Sequence, residues 1–174
     1  MKKLVLIAIL FISGISSGQS NLFSKFDDNP EITKVVVTEH MFKLMNSISS
    51  ESEEGKEYSD LISGIKALKV YTTDDPVISK DMKLEVEKFL ANTKLKELMR
   101  IDEKDVQVKF YFAEGKDEDH VKELFMFVTN TNAKSDQETV ILSLEGDIDL
   151  KSVAKLTSQM NISGGEHLKN LNKK

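Results

Sequence analysis

A change in hydrophobic period near Leu95 constrains the fold of this chain more than any other feature of its sequence. Before it, apolar residues tend to recur every three or four positions, and after it they alternate with polar residues. Alternation with period two, interrupted by short polar turns, is typical of antiparallel strands. The clearest predicted strand places four apolar residues on one side, namely Val106, Val108, Phe110 and Phe112. The second half of the chain therefore predicts a meander of strands.

Two further strands continue this pattern. Residues Val121 to Thr129 are apolar on both sides, as expected of a central strand that is covered on each face. Thr139 to Glu145 supplies the next strand. Gly146 is predicted to end that strand, and Asp147 or Asp149 to cap a closing helix. The buried side of this helix would carry Leu150, Val153, Ala154 and Leu156.

The first half of the chain predicts two strands and two helices. Ile32 to Val37 is rich in β-branched residues and indicates a strand, and a second strand lies within Leu61 to Thr73. Residues 49–58 are polar and indicate a loop or a frayed helix end. The helix after the first strand would bury Met41, Leu44, Met45 and Ile48, which have helical spacing. A later helix, capped by Ser79, would bury Met82, Val86, Phe89 and Leu90.

This order of elements predicts an α+β fold. We expect a mainly antiparallel sheet of about five to six strands, with two to three helices packed on one face. Residues 19–31 are predicted to be a lead-in segment, because Asp27-Asp28-Asn29-Pro30 breaks the chain ahead of the first strand. Residues 32–170 are expected to form a single domain, since no internal repeat or low-complexity tract divides them.

Residues 1–18 have the pattern of a bacterial signal peptide. A basic start at Lys2 and Lys3 precedes an apolar run over residues 4–12, about half the length that a membrane span needs. Ser16 and Gly18 satisfy the small-residue rule, so cleavage is predicted between Gly18 and Gln19. The alternative, a retained amino-terminal anchor, usually needs a longer apolar run. We therefore expect a periplasmic or extracellular protein.

Composition excludes several classes of function. The chain of 174 residues has no cysteine, which excludes disulfides, a thiol nucleophile, zinc–thiolate sites and a lipid anchor on an amino-terminal cysteine. Loss of Lys2 and Lys3 would reduce the 24 basic side chains to 22 against 29 acidic ones, a net charge of −7. Such acidity argues against a nucleic-acid partner. No second apolar run approaches the about 20 residues of a membrane span, so no span is expected in the mature chain.

The spacing of possible ligands does not indicate a metal or a cofactor. His40, His120 and His167 lie far apart, and none has a second histidine or cysteine at i+3 or i+4. Asp117-Glu118-Asp119 could offer oxygen ligands to a divalent cation, but the calcium-loop spacing is missing. An ordinary solvated hairpin turn is the interpretation we favour there. We predict no catalytic, cofactor-binding or metal-binding residue.

One acidic passage, residues 145–150 (EGDIDL), allows a catalytic hypothesis. Asp147 and Asp149 could serve as the acid and base of a carboxylate-dependent hydrolase if one of the two pKa values were raised. Capping of the following helix is the simpler interpretation, because an aspartate at a helix amino end accepts hydrogen bonds from exposed N–H groups. Four phenylalanines on adjacent predicted strands indicate either core or a stacking platform for a ligand: Phe110, Phe112, Phe125 and Phe127.

The chain as a whole resembles a domain-of-unknown-function family of small exported proteins from Bacteroidetes-type bacteria. The resemblance covers about residues 23–170 and is carried by residues 41–45 (MFKLM), 96–100 (KELMR), 123–128 (ELFMFV) and 140–150 (VILSLEGDIDL). Such a family has no assigned activity or catalytic residues, and the resemblance implies a link to envelope signalling or stress.

Two functions follow as expectations. The first is an exported, non-catalytic binding or accessory module with an unidentified envelope protein or peptide as partner. The alternative is the hydrolase with acids near Asp147 and Asp149. A third role, in oligomer formation, depends on whether an apolar strand lies at an open sheet edge.

Overall fold

Six strands form one antiparallel sheet in the order β1-β2-β6-β5-β4-β3. The computed structural model describes residues 22–49, 53–130 and 138–152. The strands are β1 (Thr33–Thr38), β2 (Ile65–Thr73), β3 (Lys96–Glu103), β4 (Val106–Glu114), β5 (His120–Asn130) and β6 (Thr139–Asp149). Three helices are named here: α1 (Glu39–Ser49), α2 (Glu53–Ser63) and α3 (Pro76–Asn92). Residues 22–24 and 150–152 are also helical. The α+β class and the antiparallel sheet are confirmed. The predicted signal peptide, His167 and the closing helix beyond Ser152 lie outside the described residues.

The predicted meander is confirmed as β3 to β6, in which each strand pairs with the next along the chain. Strand β2 then adds to β6, with Val70 opposite Leu142 and Tyr71 opposite Ile141. Strand β1 pairs with β2 and ends the sheet on that side. The pairing of β2 with β6 therefore joins the two halves of the chain.

Helix α3 covers one face of the sheet. Asp75 caps it by accepting hydrogen bonds from the N–H groups of Val77 (2.8 Å) and Ile78 (2.9 Å), and Pro76 follows at the first helical position. The predicted cap at Ser79 is wrong, because its hydroxyl instead bonds that of Thr139. The predicted buried side is confirmed: Met82, Val86 and Phe89 pack in a core cluster with Tyr71, Phe125, Phe127 and Ile141.

The core begins earlier in the chain than we predicted. Leu22, Phe23 and Phe26, inside the predicted lead-in segment, are buried in the same cluster. The ring centroid of Phe23 lies 5.0 Å from that of Tyr71, and the Tyr71 hydroxyl donates a hydrogen bond to Asp27. Burial and this hydrogen bond raise the pKa of Tyr71. The residues before Pro30 thus belong to the fold, because their apolar side chains complete the face that α3 covers.

Helices α1 and α2 pack together on the other face. Phe42 and Ile62 cluster with Ile65, next to Val37, Leu68 and Leu144. The register places Leu68 and Leu144 on the side opposite to Tyr71 and Ile141. The prediction that the helices share one face is therefore not confirmed.

The predictions for this helical pair are confirmed only in part: Met45 packs against the cluster as predicted, but Met41 and Leu44 do not. The exposed fractions of Met41 and Leu44 are 47% and 55%, whereas Phe42 is buried. Apolar residues at 41, 42, 44 and 45 allow more than one buried stripe, and contact with Ile62 of α2 and Ile65 selects the one that contains Phe42. The segment 49–58, predicted to be a loop or a frayed helix end, includes the start of a separate helix, because α2 begins at Glu53.

Gly146 does not end its strand. Strand β6 continues to Asp149, and Gly146 has a φ of +154° opposite Ile65, where the register of β2 with β6 shifts. The N–H of Asp147 donates to the carbonyl oxygen of Gly64 at 2.8 Å. A Cβ on Gly146 would lie 2.2 Å from that oxygen. Only glycine fits this close backbone approach, which bends β6 without breaking it.

We predict that Gly146→Ala lowers the free energy of unfolding by about 2 kcal/mol or more, because the added methyl group meets backbone rather than a flexible side chain. Urea denaturation followed by circular dichroism measures the change. Lys122→Ala, at an exposed position across from the bulge, is the control and should change stability by less than about 0.5 kcal/mol. Equal stability of Gly146→Ala and the parent chain would contradict the steric argument.

Candidate functional site

The acidic residues singled out in the sequence meet at one end of the sheet, where the β4–β5 turn lies beside the end of β6. Lys116 pairs with Asp147 at 2.7 Å, and Lys151 with Asp119 at 2.6 Å. The Nδ1 atom of His120 lies 2.6 Å from a carboxylate oxygen of Asp117. These contacts lower the pKa of Asp117 and raise the pKa values of Lys116 and Lys151.

Asp147 and Asp149 have different roles within this end of the sheet. Asp147 is half exposed and ion-paired with Lys116. Asp149 accepts hydrogen bonds from the N–H of Lys151 (2.9 Å) and the hydroxyl of Ser152 (2.7 Å). Partial burial raises the pKa of Asp149, but the hydrogen bonds from Ser152 and Lys151 outweigh it, and the net shift is downward. These hydrogen bonds are those of a residue that caps the helical turn after it.

The possible metal ligands do not converge within the described ranges. No group of three or more histidine or acidic side chains there has the geometry to hold an ion. His40 is exposed at the start of α1. Asp117, Asp119 and His120 pair with neighbouring side chains in a hairpin turn, which is the arrangement we favoured for that segment.

Sequence reasoning missed a polar cluster in the middle of the sheet. Glu123 is 7% exposed and lies directly opposite Glu145 on β6. Ser143 donates a hydrogen bond to Glu123 at 3.2 Å, and Lys69 pairs with Glu145 at 3.1 Å. Two carboxylates opposite one another repel, and Lys69 offsets this repulsion. The sequence did contain a signal for the burial of Glu123. Side chains alternate along β5, so Glu123 lies on the same side of the sheet as the buried Phe125 and Phe127.

The four phenylalanines do not form one stacking platform. Phe125 and Phe127 lie beneath α3 and are buried, as the core interpretation predicts. Phe110 and Phe112 pair with Met126 and Leu124 and therefore point to the other side of the sheet. Both are only half buried.

A shallow cavity of about 510 Å³ lies between the amino-terminal segment and α3. Leu22 and Phe89 form its apolar part. Lys25 and Glu85 at its rim pair at 2.9 Å, and Glu85 also pairs with Lys88. Hydrogen bonding to Glu85 raises the pKa of Lys25, and the two lysines lower the pKa of Glu85. The charged side chains at this rim therefore neutralise one another in ion pairs.

An exposed apolar surface lies along β1 and α1. The exposed fractions of Val35 and Val36 are 49% and 53%, and Met41 and Leu44 follow on the adjoining helix. We call these four residues the β1–α1 surface. Strand β1 is an edge of the sheet, so one side of its backbone has no partner strand among the described residues. An open edge of this kind can pair with another polypeptide.

Comparison with known proteins gives one match. A family model described as a domain of unknown function (DUF4252) covers residues 26–156. No curated protein and no solved structure matches the chain. The described residues contain no helix long and apolar enough to cross a membrane.

We predict that Asp149→Ala lowers the free energy of unfolding by about 1 kcal/mol at pH 7, because the helix that begins at Leu150 loses its cap. The pKa of Asp149 is lower in the folded state, so its carboxylate stabilises the fold fully above the unfolded value of about 3.9. This contribution is lost as the pH falls through the folded-state pKa. The difference between the two proteins, measured by urea denaturation, should shrink below about pH 4.

Asp147→Ala is the matched control for this prediction. It removes an exposed ion pair with Lys116 and should cost less than about 0.5 kcal/mol. A larger loss from Asp147→Ala than from Asp149→Ala would contradict the capping role.

Proposed function

Because the chain belongs to the DUF4252 family, whose description assigns no activity, we propose from its surface that it is an exported, non-catalytic module that binds a polypeptide partner in the cell envelope. The observation that carries the proposal is the β1–α1 surface, where β1 has no partner strand on one side among the described residues and exposed apolar side chains lie nearby. Binding would be accessory to envelope signalling.

The backbone of β1 defines the chemistry of the partner. An unpaired strand edge presents N–H and C=O groups in a regular row, and an extended polypeptide carries the complementary row. Val35 and Val36 point to opposite sides of the sheet, so a bound strand would meet an apolar residue on each side. Met41 and Leu44, on the helix that follows β1, are further exposed apolar side chains.

The two edges of the sheet differ in a way that supports this assignment. Strand β3, at the far edge, is bulged between Glu97 and Met99 and carries Lys96, Glu97, Arg100, Asp102 and Glu103. Charges and bulges on an edge strand prevent unwanted pairing. Strand β1 has one charged residue, Lys34, whose ammonium group donates to the carbonyl oxygen of Asp27. The edge at β1 therefore lacks the protection that β3 has.

Export rests on residues 1–18, and the net charge of −7 after their removal suits a protein that remains free in an aqueous compartment. With no cysteine, the chain has no site for an amino-terminal lipid anchor. The partner is accordingly sought among periplasmic or outer-surface proteins.

We predict that Val36→Lys abolishes partner binding, because it places a charge on the open edge and disfavours strand addition. Affinity capture from envelope extract, quantified by mass spectrometry, compares this variant with the parent chain. Val77→Lys is the matched control, because Val77 is 77% exposed on α3 and lies outside the β1–α1 surface. Proteins recovered with the parent and Val77→Lys but lost with Val36→Lys support the proposal. The same recovery with Val36→Lys would refute it.

We predict that the protein recovered from producing cells begins at Gln19. Cell fractionation followed by amino-terminal sequencing tests this. Leu6→Glu, which interrupts the apolar run of the signal, should leave the uncleaved chain in the cytoplasm. A chain that retains Met1 and stays cytoplasmic without any substitution would overturn the export proposal.

A further inference from the structure

Strand β1 combines an open edge with apolar side chains on both sides of the sheet. Val35 lies with Val37 on the side that α1 covers, and Val36 lies with Lys34 on the side that α3 covers. Val35 and Val36 are nevertheless 49% and 53% exposed. The sequence makes oligomer formation depend on an apolar strand at an open sheet edge, and β1 is such a strand among the described residues.

Met41 and Leu44 add apolar surface from α1. The hydroxyl of Ser59 on α2 donates a hydrogen bond to Asn46, which places α2 on that side of α1. Successive residues of a helix are about 100° apart, so Met41 and Leu44 lie about 140° and 160° around the helix from Asn46. Both side chains therefore point away from α2. Helix α1 follows β1 directly and contacts it, so the whole β1–α1 surface lies near one edge of the sheet.

We propose that a second copy of this chain occupies this edge when no envelope partner is bound, with the two β1 strands paired antiparallel about a two-fold axis perpendicular to the sheet. The six strands of each copy then join into one sheet of twelve. This inference rests on the proposed function, because it names an occupant for the same β1–α1 surface. An envelope partner has to displace the second copy.

The residues of β1 complement their own copy. Directly opposite residues of an antiparallel pair point to the same side of the sheet, so the axis passes beside a residue that faces itself. With the axis at Val36, the neighbouring pairs are Val35 with Val37 and Lys34 with Thr38. All three valines then face valines, and β-branched side chains pack well between strands. No like charges oppose each other, whereas an axis at Val35 would place Lys34 opposite Val36.

The far edge of the sheet limits the assembly to two copies. Pairing of β1 with β3 of the next copy would be head-to-tail and would extend without limit. Strand β3 opposes such pairing, because it is bulged between Glu97 and Met99 and carries five charged residues. Pairing of β1 with β1 uses the open edge of both copies at once. The dimer is therefore closed.

The size of the contact predicts a weak dimer. A strand of six residues is about 20 Å long, and a sheet with one layer of helix is about 20 Å deep. The contact is therefore roughly 400 Å² per copy and 800 Å² in total, in the range of transient complexes. We expect a dissociation constant in the micromolar range, which allows an envelope partner to compete for the edge.

A single cysteine tests the pairing directly, because the chain has none of its own. Val36→Cys places two thiols opposite each other, at the Cα separation of about 4.5–5.5 Å that a disulfide accepts. Mild oxidation of the protein recovered from producing cells should link Val36→Cys at least tenfold faster than Val77→Cys, an exposed control on α3. Val35→Cys should also link slowly, since its two copies lie about 8 Å apart.

Charge exchange at the axis separates a lost interface from a misfolded chain. Sedimentation equilibrium of the parent chain should show a reversible monomer–dimer equilibrium. Val36→Lys and Val36→Glu each place two like charges face to face and should raise the dissociation constant at least tenfold. An equimolar mixture of the two variants places opposite charges face to face and should restore the dimer to within a few-fold of the parent. Circular dichroism measures the folding of each variant.

The remaining outcomes overturn the second copy as the occupant. A parent chain that stays monomeric up to millimolar concentration does so, and if Val36→Lys still loses a captured envelope protein, the proposed function stands alone. Equal linkage of Val36→Cys and Val77→Cys, or a dimer that Val36→Lys leaves intact, also overturns it. Linkage through Val35→Cys alone overturns the axis at Val36. A dimer that meets every expectation, with no envelope protein captured, supports this inference and refutes the envelope partner.

Discussion

The pairing of β2 with β6 is the interaction on which the rest of the structure depends. It inserts a strand from the first half of the chain beside the last strand of the meander, and so places β1 at one edge and β3 at the other. It also brings Gly64 and Gly146 into a backbone contact that no side chain could share. Both halves then contribute to one core, since Tyr71 and Ile141 pair beneath α3.

This arrangement produces three surfaces with different physical characters. The face under α3 is completed by Phe23 and Phe26 and is closed. The acidic end near Asp147 is satisfied by local ion pairs and by the helix cap at Asp149. The β1–α1 surface keeps exposed apolar side chains. The binding that we propose therefore depends on the backbone edge of β1 and on the apolar side chains near it.

Local sequence patterns predicted the buried residues correctly where only one helix stripe or one side of a strand could bury the apolar side chains. The buried side of α3 and the alternation of β4 are of this kind, because no second apolar stripe competes with Met82, Val86 and Phe89. Prediction failed where two patterns overlapped, as at Met41 and Phe42, and where a polar residue took a buried position, as at Glu123. The cap at Asp149 was among the alternatives, whereas Asp75 was overlooked because Ser79 offered an equivalent local signal.

The sequence by itself determined the order of the strands with α1 and α3, the absence of thiol chemistry, the acidity and the predicted signal peptide, because each depends on local composition and spacing. Only the tertiary structure decided which strands became edges, which stripe of α1 was buried and which residues ahead of Pro30 joined the core. These outcomes depend on contacts between residues far apart in the chain, such as Leu68 with Leu144 and Phe23 with Tyr71. Burial of apolar side chains stabilises any arrangement that removes enough apolar area from water, so local sequence does not select one arrangement. Contacts across the whole folded chain select it.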